Sequence, residues 1–241
     1  MITSRAARQP GTAKTDSCTH VGKPNIGNIE IDADGKENPG DARPPGFDRT
    51  DLKECRMGRI TYVVMQSLDG YIEGPNGEFD WPVMDSELAK YSQEFGDTAD
   101  VFLYGRVVWD GMSSYWPRAE EYSDHPHDLE FAPVWRAKPK VVVSRTLKTA
   151  DWNTTVVNDI TELAEIKQDK HLVLYGGAEL AATLTEHRLI DEYQVFVHPV
   201  LLGGGKPVLP STKVRSGLRL VESRTFDSQV VMLRHELAAD R

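Results

Sequence analysis

HLVLYGGAELAATLTEHRLIDEYQVFVHPVLLGGGKPVLP, residues 171–210, is the stretch on which the reading of the whole chain turns. An apolar run, Leu172 to Tyr175, stops at Gly176-Gly177. An amphipathic segment follows with Leu180, Ala181 and Leu184 on one helical face, which predicts strand, tight turn, helix. Two glycines at that junction remove the side chains that would hold a ligand off the backbone, and the free N–H groups of the helix's first turn favour an anion. An ordinary α/β unit with a structural glycine turn has the same local pattern, so this fragment alone leaves both readings open. Asp191 to Val200 predicts a second strand centred on Val195, Phe196 and Val197, ending in the glycine-rich turn of HPVLLGGGKPVLP. Gly203-Gly204-Gly205-Lys206 is like the end of a P-loop, but Pro207 stands where the magnesium-binding Ser or Thr belongs and no helix follows, so it is read as a structural turn.

Outward from this stretch, composition divides the 241 residues in two. Residues 1–56 hold a single aromatic, Phe47, and few large aliphatics, too little apolar surface to offset the entropy of ordering. They are expected to be a disordered N-terminal extension, or an upstream extension of the reading frame before Met57. Residues 57–241 are expected to form the globular domain. Charged residues interrupt Met1 to Thr19, so no signal peptide is expected there, and no window reaches transmembrane length. The expectation is a cytoplasmic protein with no membrane partner.

The net charge of −9 is also uneven, because residues 1–56 carry nine basic and nine acidic side chains and the excess therefore lies in the domain. Nucleic acid is not expected as a partner of an acidic domain. Both cysteines, Cys18 and Cys55, precede the domain, which leaves it without a thiol nucleophile, a disulfide or a cysteine zinc site.

Within the domain, Ile60 to Met65 predicts a central strand buried on both faces. A turn at Asp69-Gly70 and a Gly, Pro and Asn-rich loop bearing Phe79 and Trp81 come next, either a cover for a ligand or a surface loop pinned by Trp81. A helix follows from a cap at Asp85 or Ser86, with Leu88, Tyr91 and Phe95 on one face and Gly96 as its end. Asp100 to Tyr104 predicts a strand running into Gly105-Arg106 and a helix. This repeats the glycine junction and adds a guanidinium suited to a phosphate, although a solvated surface Arg has the same sequence. Residues 113–127 read as a polar loop. Its His125-Pro126-His127 lacks partner ligands for a metal, and none is expected.

Leu129 to Trp135 predicts a short helix, Lys140 to Ser144 a buried strand ending in Ser144-Arg145, Thr155 to Val157 a strand, and Ile160 to Ile166 a helix capped by Asn158 or Asp159. Leu218 to Phe226 and Gln229 to Glu236 predict an antiparallel hairpin. The fold class is therefore α/β, a three-layer arrangement with a mostly parallel central sheet flanked by helices and a C-terminal antiparallel hairpin. In such a sheet Gly105-Arg106, Ser144-Arg145 and Gly176-Gly177 fall on one rim, where a ligand with several separated phosphates fits; NADPH has that distribution of charge.

SLDGYI at 67–72, the loop ending in Trp81-Pro82, YGRVVW at 104–109, VVVSR at 141–145, LYGGAEL at 174–180 and HPVLLGGGKPVL at 198–209 occur in this order. Together they resemble the dihydrofolate reductase-like superfamily, most closely the branch holding the C-terminal reductase domain of the riboflavin-pathway deaminase-reductase. The resemblance covers residues 57–237. It implies an NADPH-dependent reductase of a small heterocyclic, pteridine- or pyrimidine-like substrate, with Gly105, Arg106, Val107, Ser144, Arg145, Tyr175, Gly176, Gly177, Ala178, Glu179 and Leu180 at the cofactor. It implies Gly70, Tyr71 and Trp81 at the substrate, Asp85 and Asp69 as candidate catalytic carboxylates, and a cis peptide at Gly176-Gly177. Asp85 reads equally as a helix cap, and Asp69 as a turn residue. Where the riboflavin-pathway enzymes carry Glu before the Gly-Gly pair and Lys in the first strand, this chain has Tyr175 and Tyr62. The aminouracil reductase of riboflavin biosynthesis therefore stands as an alternative, beside a non-catalytic nucleotide-binding or dimerisation module. Related domains pair, and the exposed apolar character expected of Val195 to Leu202 allows it, so a homodimer is expected.

Overall fold

A computed structural model describes residues 58–210 and 212–238; the expectation for residues 1–56 lies outside them. The chain runs β1 (Arg59–Ser67), β2 (Tyr71–Glu73), α1 (Ser86–Thr98), β3 (Val101–Gly105), α2 (Arg106–Tyr115), a 3-10 turn (Trp116–Glu121), α3 (Pro126–Ala137), β4 (Lys140–Val143) and β5 (Thr154–Val157). It continues with α4 (Thr161–Lys167), β6 (His171–Tyr175), α5 (Ala178–Glu186), β7 (Glu192–His198), β8 (Lys206–Pro207), β9 (Leu218–Thr225) and β10 (Val231–Leu237). Among the described residues eight strands form one sheet in the order β5-β4-β3-β6-β1-β7-β10-β9. Every pairing from β5 to β7 is parallel, and β10 runs antiparallel to both β7 and β9.

Period-two alternation sends the strand side chains into two layers. Ile60, Tyr62, Val64, Leu103, Leu172 and Leu174 face Ala181 and Leu184 of α5 and Leu163 of α4. Phe102, Tyr104, Val142 and Val173 face Trp109 of α2 and Phe131 and Trp135 of α3. α1 covers the third patch, where Leu88 meets Phe196, Phe226, Val230 and Met232. Each such fully buried aliphatic or aromatic side chain contributes about 1.5–3 kcal/mol. Helices on both faces and parallel strands between them confirm the three-layer α/β expectation.

Several local expectations need correction. Gly96 does not end α1, which continues to Thr98 with Ala99 as C-cap. Gly96 is buried inside the helix, and a Cβ there would meet the Tyr175 hydroxyl at 3.5 Å, an ordinary van der Waals contact. Residues 113–127 are not one loop, since α2 reaches Tyr115, the 3-10 turn follows, and α3 begins at Pro126, a favourable first-turn residue. His125 is the N-cap position of α3, and the His127 ring stacks on Phe131 at 5.8 Å, which accounts for the pair as helix start and packing. Nor is Val195 to Leu202 an exposed apolar stretch: β7 lies inside the sheet between β1 and β10 and buries Phe196, leaving Leu201 as the large exposed side chain there. No helix among the described residues is long and apolar enough to cross a membrane.

Candidate functional site

Parallel pairing brings the carboxyl ends of β3, β4 and β6 to one rim. A groove of about 370 Å³ opens there, lined by Gly105, Arg106, Val107, Ser144, Arg145, Gly177, Ala178, Glu179 and Leu180, residues from three distant parts of the chain. α2 and α5 both start in this groove. Their N-cap residues, Gly105 and Gly177, have no side chain to bond the first-turn N–H groups, so both helix ends are left open to a ligand. The Gly176-Gly177 turn is built differently from expectation. No cis peptide occurs among the described residues; instead Gly176 and Gly177 take φ of 56° and 76°, the left-handed region that glycine enters without steric cost.

The cations differ in their engagement. Arg106 donates from Nε to both oxygens of Asp110 at 2.8 Å, one helical turn on. Both side chains are about half exposed, and such a pair is worth only about 0.3–0.5 kcal/mol, so a phosphate can displace the carboxylate. Arg145 is exposed and makes no ion pair among the described residues. Ser144 Oγ accepts the amides of Thr146 at 3.3 Å and Leu147 at 3.0 Å, which fixes the loop that presents Arg145.

Two of the proposed cofactor residues do not line this groove. Tyr175 is partly buried on the opposite side of β6, where its ring stacks with Tyr104 at 6.2 Å and its buried hydroxyl has no partner. Burial holds that phenol well above its ordinary pKa. Gly176 shapes the turn but is not among the lining residues. Conversely, the groove includes Ile72, Glu73, Thr146, Thr183 and Lys206, which the sequence reading passed over. The signal for Lys206 was present in GGGKP. The structural-turn reading is right, since Gly203, Gly204 and Gly205 all have positive φ, yet the same turn delivers Lys206 to the rim, 4.0 Å from Glu73.

The two candidate carboxylates are occupied structurally. Asp85 is the N-cap of α1: its carboxylate accepts Leu88 N–H at 2.6 Å and the Ser228 amide, and these bonds hold its pKa below the ordinary value. That is the reverse of the shift a proton donor near neutral pH needs. Asp69 accepts the amides of Leu202 at 3.1 Å and Gly203 at 2.8 Å, strapping the glycine turn to the end of β1. The Ser67 hydroxyl and these amides likewise keep Asp69 ionised. Gly70, Tyr71 and Trp81 lie outside the groove lining; Gly70 lies in the β1–β2 turn, Tyr71 opens β2, and Trp81 meets His198 edge to face at 5.3 Å. Tyr62 is fully buried, and its hydroxyl donates to Val208 O at 3.3 Å.

The RibD C-terminal domain model matches residues 59–232, the described domain almost end to end. The chain belongs to the RibD C-terminal domain family. Uncharacterized protein YyaP of Bacillus subtilis (strain 168) is 37% identical over 182 residues, covering 74% of this chain and 94% of the relative. Among solved structures, a putative riboflavin biosynthesis protein from Shewanella sp. PV-4 aligns with a TM-score of 0.57 at 21% identity, over 76% of this chain and 100% of the other. Dihydrofolate reductase from Enterococcus faecalis, solved with NADP(H) and RAB-propyl, aligns with a TM-score of 0.53 at 13% identity, over 76% and 98%. These two likenesses establish the dihydrofolate reductase-like fold for this member of the family.

Proposed function

We propose that this family member is an NADPH-dependent reductase that delivers hydride to a conjugated C=N or C=O bond of a small heterocyclic, pteridine- or pyrimidine-like substrate. The observation that carries the reading is the pair of uncapped helix N-termini, α2 and α5, opening into one groove beside Arg106 and Arg145. Dipoles and guanidinium groups there suit the separated phosphates of a dinucleotide. Fold kinship with a dihydrofolate reductase solved with NADP(H) supports the same assignment. The groove residues fit the cofactor: Gly105 and Gly177 admit a phosphate to the backbone, and Arg106 and Arg145 neutralise it. The reduced nicotinamide would supply the hydride, while the chain binds, orients and excludes water. With Asp85 and Asp69 both held ionised by backbone amides, the proton comes from solvent.

The riboflavin-pathway aminouracil reductase is disfavoured by buried Tyr62 and partly buried Tyr175, neither of which lines the groove, where that enzyme group has Lys and Glu. Calorimetric titration with NADPH tests the main reading, and it is expected to show one saturable site per domain. Loss of reduced-nicotinamide absorbance when dihydropterins or aminopyrimidines are added then tests catalysis. A protein that binds no NADPH at concentrations far above those of ordinary reductase sites overturns the proposal. Binding without turnover of any such substrate leaves the non-catalytic nucleotide-binding module instead.

A further inference from the structure

His198 closes β7 at the same sheet rim as the groove, paired in register with Ser67 at the end of β1. The order β6-β1-β7 sets the end of its strand two strand spacings from the end of β6, about 10 Å. Its ring is 1% exposed. Nδ1 accepts the Val83 amide N–H at 3.3 Å, which leaves the proton of the neutral ring on Nε2. Nε2 is buried and has no partner. The indole Nε1 of Trp81, whose ring lies against that of His198, is also buried without a partner. Two adjacent N–H donors closed off from water each forgo a hydrogen bond, at a cost of about 1–3 kcal/mol. An acceptor atom of a ligand placed here would relieve that deficit.

We propose that His198 Nε2–H, with the Trp81 indole N–H beside it, forms a hydrogen-bond donor pair for a carbonyl oxygen or ring nitrogen of the heterocyclic substrate. This rests on the reductase reading and locates the substrate's acceptor group within it. Burial lowers the His198 pKa to about 4, so the ring stays neutral and the Nε2 proton stays in place at physiological pH. An anionic substrate group has no fixed positive charge here to pair with; a neutral lactam or amide-like carbonyl is the matching chemistry.

The acceptor reaches the pair as the Phe79 ring, packed on Trp81 at 5.7 Å, swings aside, while the rest of the segment from Phe79 to Met84, with Trp81 and Val83, stays in place. That segment has neither helix nor strand, exposes Phe79 and Val83 by 59% and 49%, and is joined to β7 through the bond from Val83 to His198. His198 thus latches the loop through Nδ1 and presents its donor through Nε2.

The test uses ¹⁵N-labelled full chain saturated with NADPH and three carbonyl-bearing probes: dihydrofolate, 7,8-dihydropterin and 5,6-diaminouracil. The Trp81 indole signal is identified by its absence in Trp81→Phe. At least one probe is expected to shift that signal, and to bind about tenfold more weakly to Trp81→Phe and to His198→Ala. His198→Gln, which keeps a side-chain N–H donor, is expected to recover part of that loss, and NADPH affinity is expected to stay within about twofold in all three variants. A panel in which no probe moves the indole signal overturns the inference, as does a probe that binds Trp81→Phe and His198→Ala as tightly as the wild type. The NADPH titration of the wild type is read separately, so a missing cofactor site defeats the reductase reading and is not confused with a misplaced donor pair.

Discussion

Asp85 can be a proton donor or a cap, and its hydrogen bonds decide between the two. Both carboxylate oxygens accept backbone N–H groups, one from α1 and one from the β9–β10 turn at Ser228, so ionisation is favoured and proton donation near neutral pH is not. Asp85→Ala is expected to cost about 1 kcal/mol or somewhat more in urea denaturation, the usual loss of an N-cap, while the pH profile of any reductase activity keeps its limbs. A neutral-pH limb that disappears in Asp85→Asn would restore the catalytic role. His198 carries the opposite sign from the usual paired histidine. Its folded pKa is about 4, below the ordinary 6.5, so the unfolded chain takes up a proton that the folded chain refuses. Stability is therefore expected to fall as pH drops from about 6.5 to about 4, with a slope approaching about 1.4 kcal/mol per pH unit, and this part of the slope is expected to vanish in His198→Gln. Equal slopes for the two proteins in urea melts at a series of pH values would show that the ring charges freely in the fold.

At the scale of elements, glycine turns govern how closely strands and helices approach the rim. Gly177 has φ of 76°, and a Cβ there would meet Val108 at 3.4 Å, so Gly177→Ala meets mainly the backbone penalty of roughly 1–2 kcal/mol. Gly205 has φ of 124°, and its Cβ would lie 2.0 Å from Glu73 O, where backbone must move to admit it. Thermal melts are expected to rank Gly205→Ala as clearly less stable than Gly177→Ala, and the latter to weaken NADPH binding beyond its stability cost because it distorts the start of α5. The strand-glycine-helix units were legible in sequence because apolar runs, breakers and amphipathic periodicity coincide at 101–106 and 171–180. Gly96 and Tyr175 were not. A strand buried on both faces has no polar alternation to show which layer Tyr175 enters, and a glycine inside a helix looks the same in sequence as one that ends it. His198 escaped for a related reason: its neighbours Trp81 and Val83 lie more than a hundred positions away, and only the β1–β7 register brings them together.

Across the whole molecule, the acidic balance sets a condition on any polyanionic ligand. The chain carries −9, so long-range repulsion opposes NADPH and the attraction must be local, from α2, α5, Arg106 and Arg145 at the rim. Arg145 is the telling residue, because Arg106 begins with a carboxylate partner and Arg145 does not. If Arg145 meets the 2′-phosphate, Arg145→Ala is expected to weaken NADPH about tenfold, the scale of one charge-assisted hydrogen bond, and NADH by less than about twofold. Salt separates local from global effects. Raising ionic strength shortens the screening length from about 10 Å at 0.1 M to about 3 Å at 1 M, which weakens both the distant repulsion and the exposed Arg145 contact. Wild-type NADPH affinity is therefore expected to fall with salt if the local contact dominates, whereas Arg145→Ala, left mainly with the net repulsion, is expected to hold constant or gain. Calorimetric titrations of both nucleotides at two salt concentrations measure this directly. Parallel salt responses in wild type and Arg145→Ala, with an unchanged preference between the nucleotides, would remove Arg145 from the cofactor site and shift the selectivity to Arg106 or Lys206.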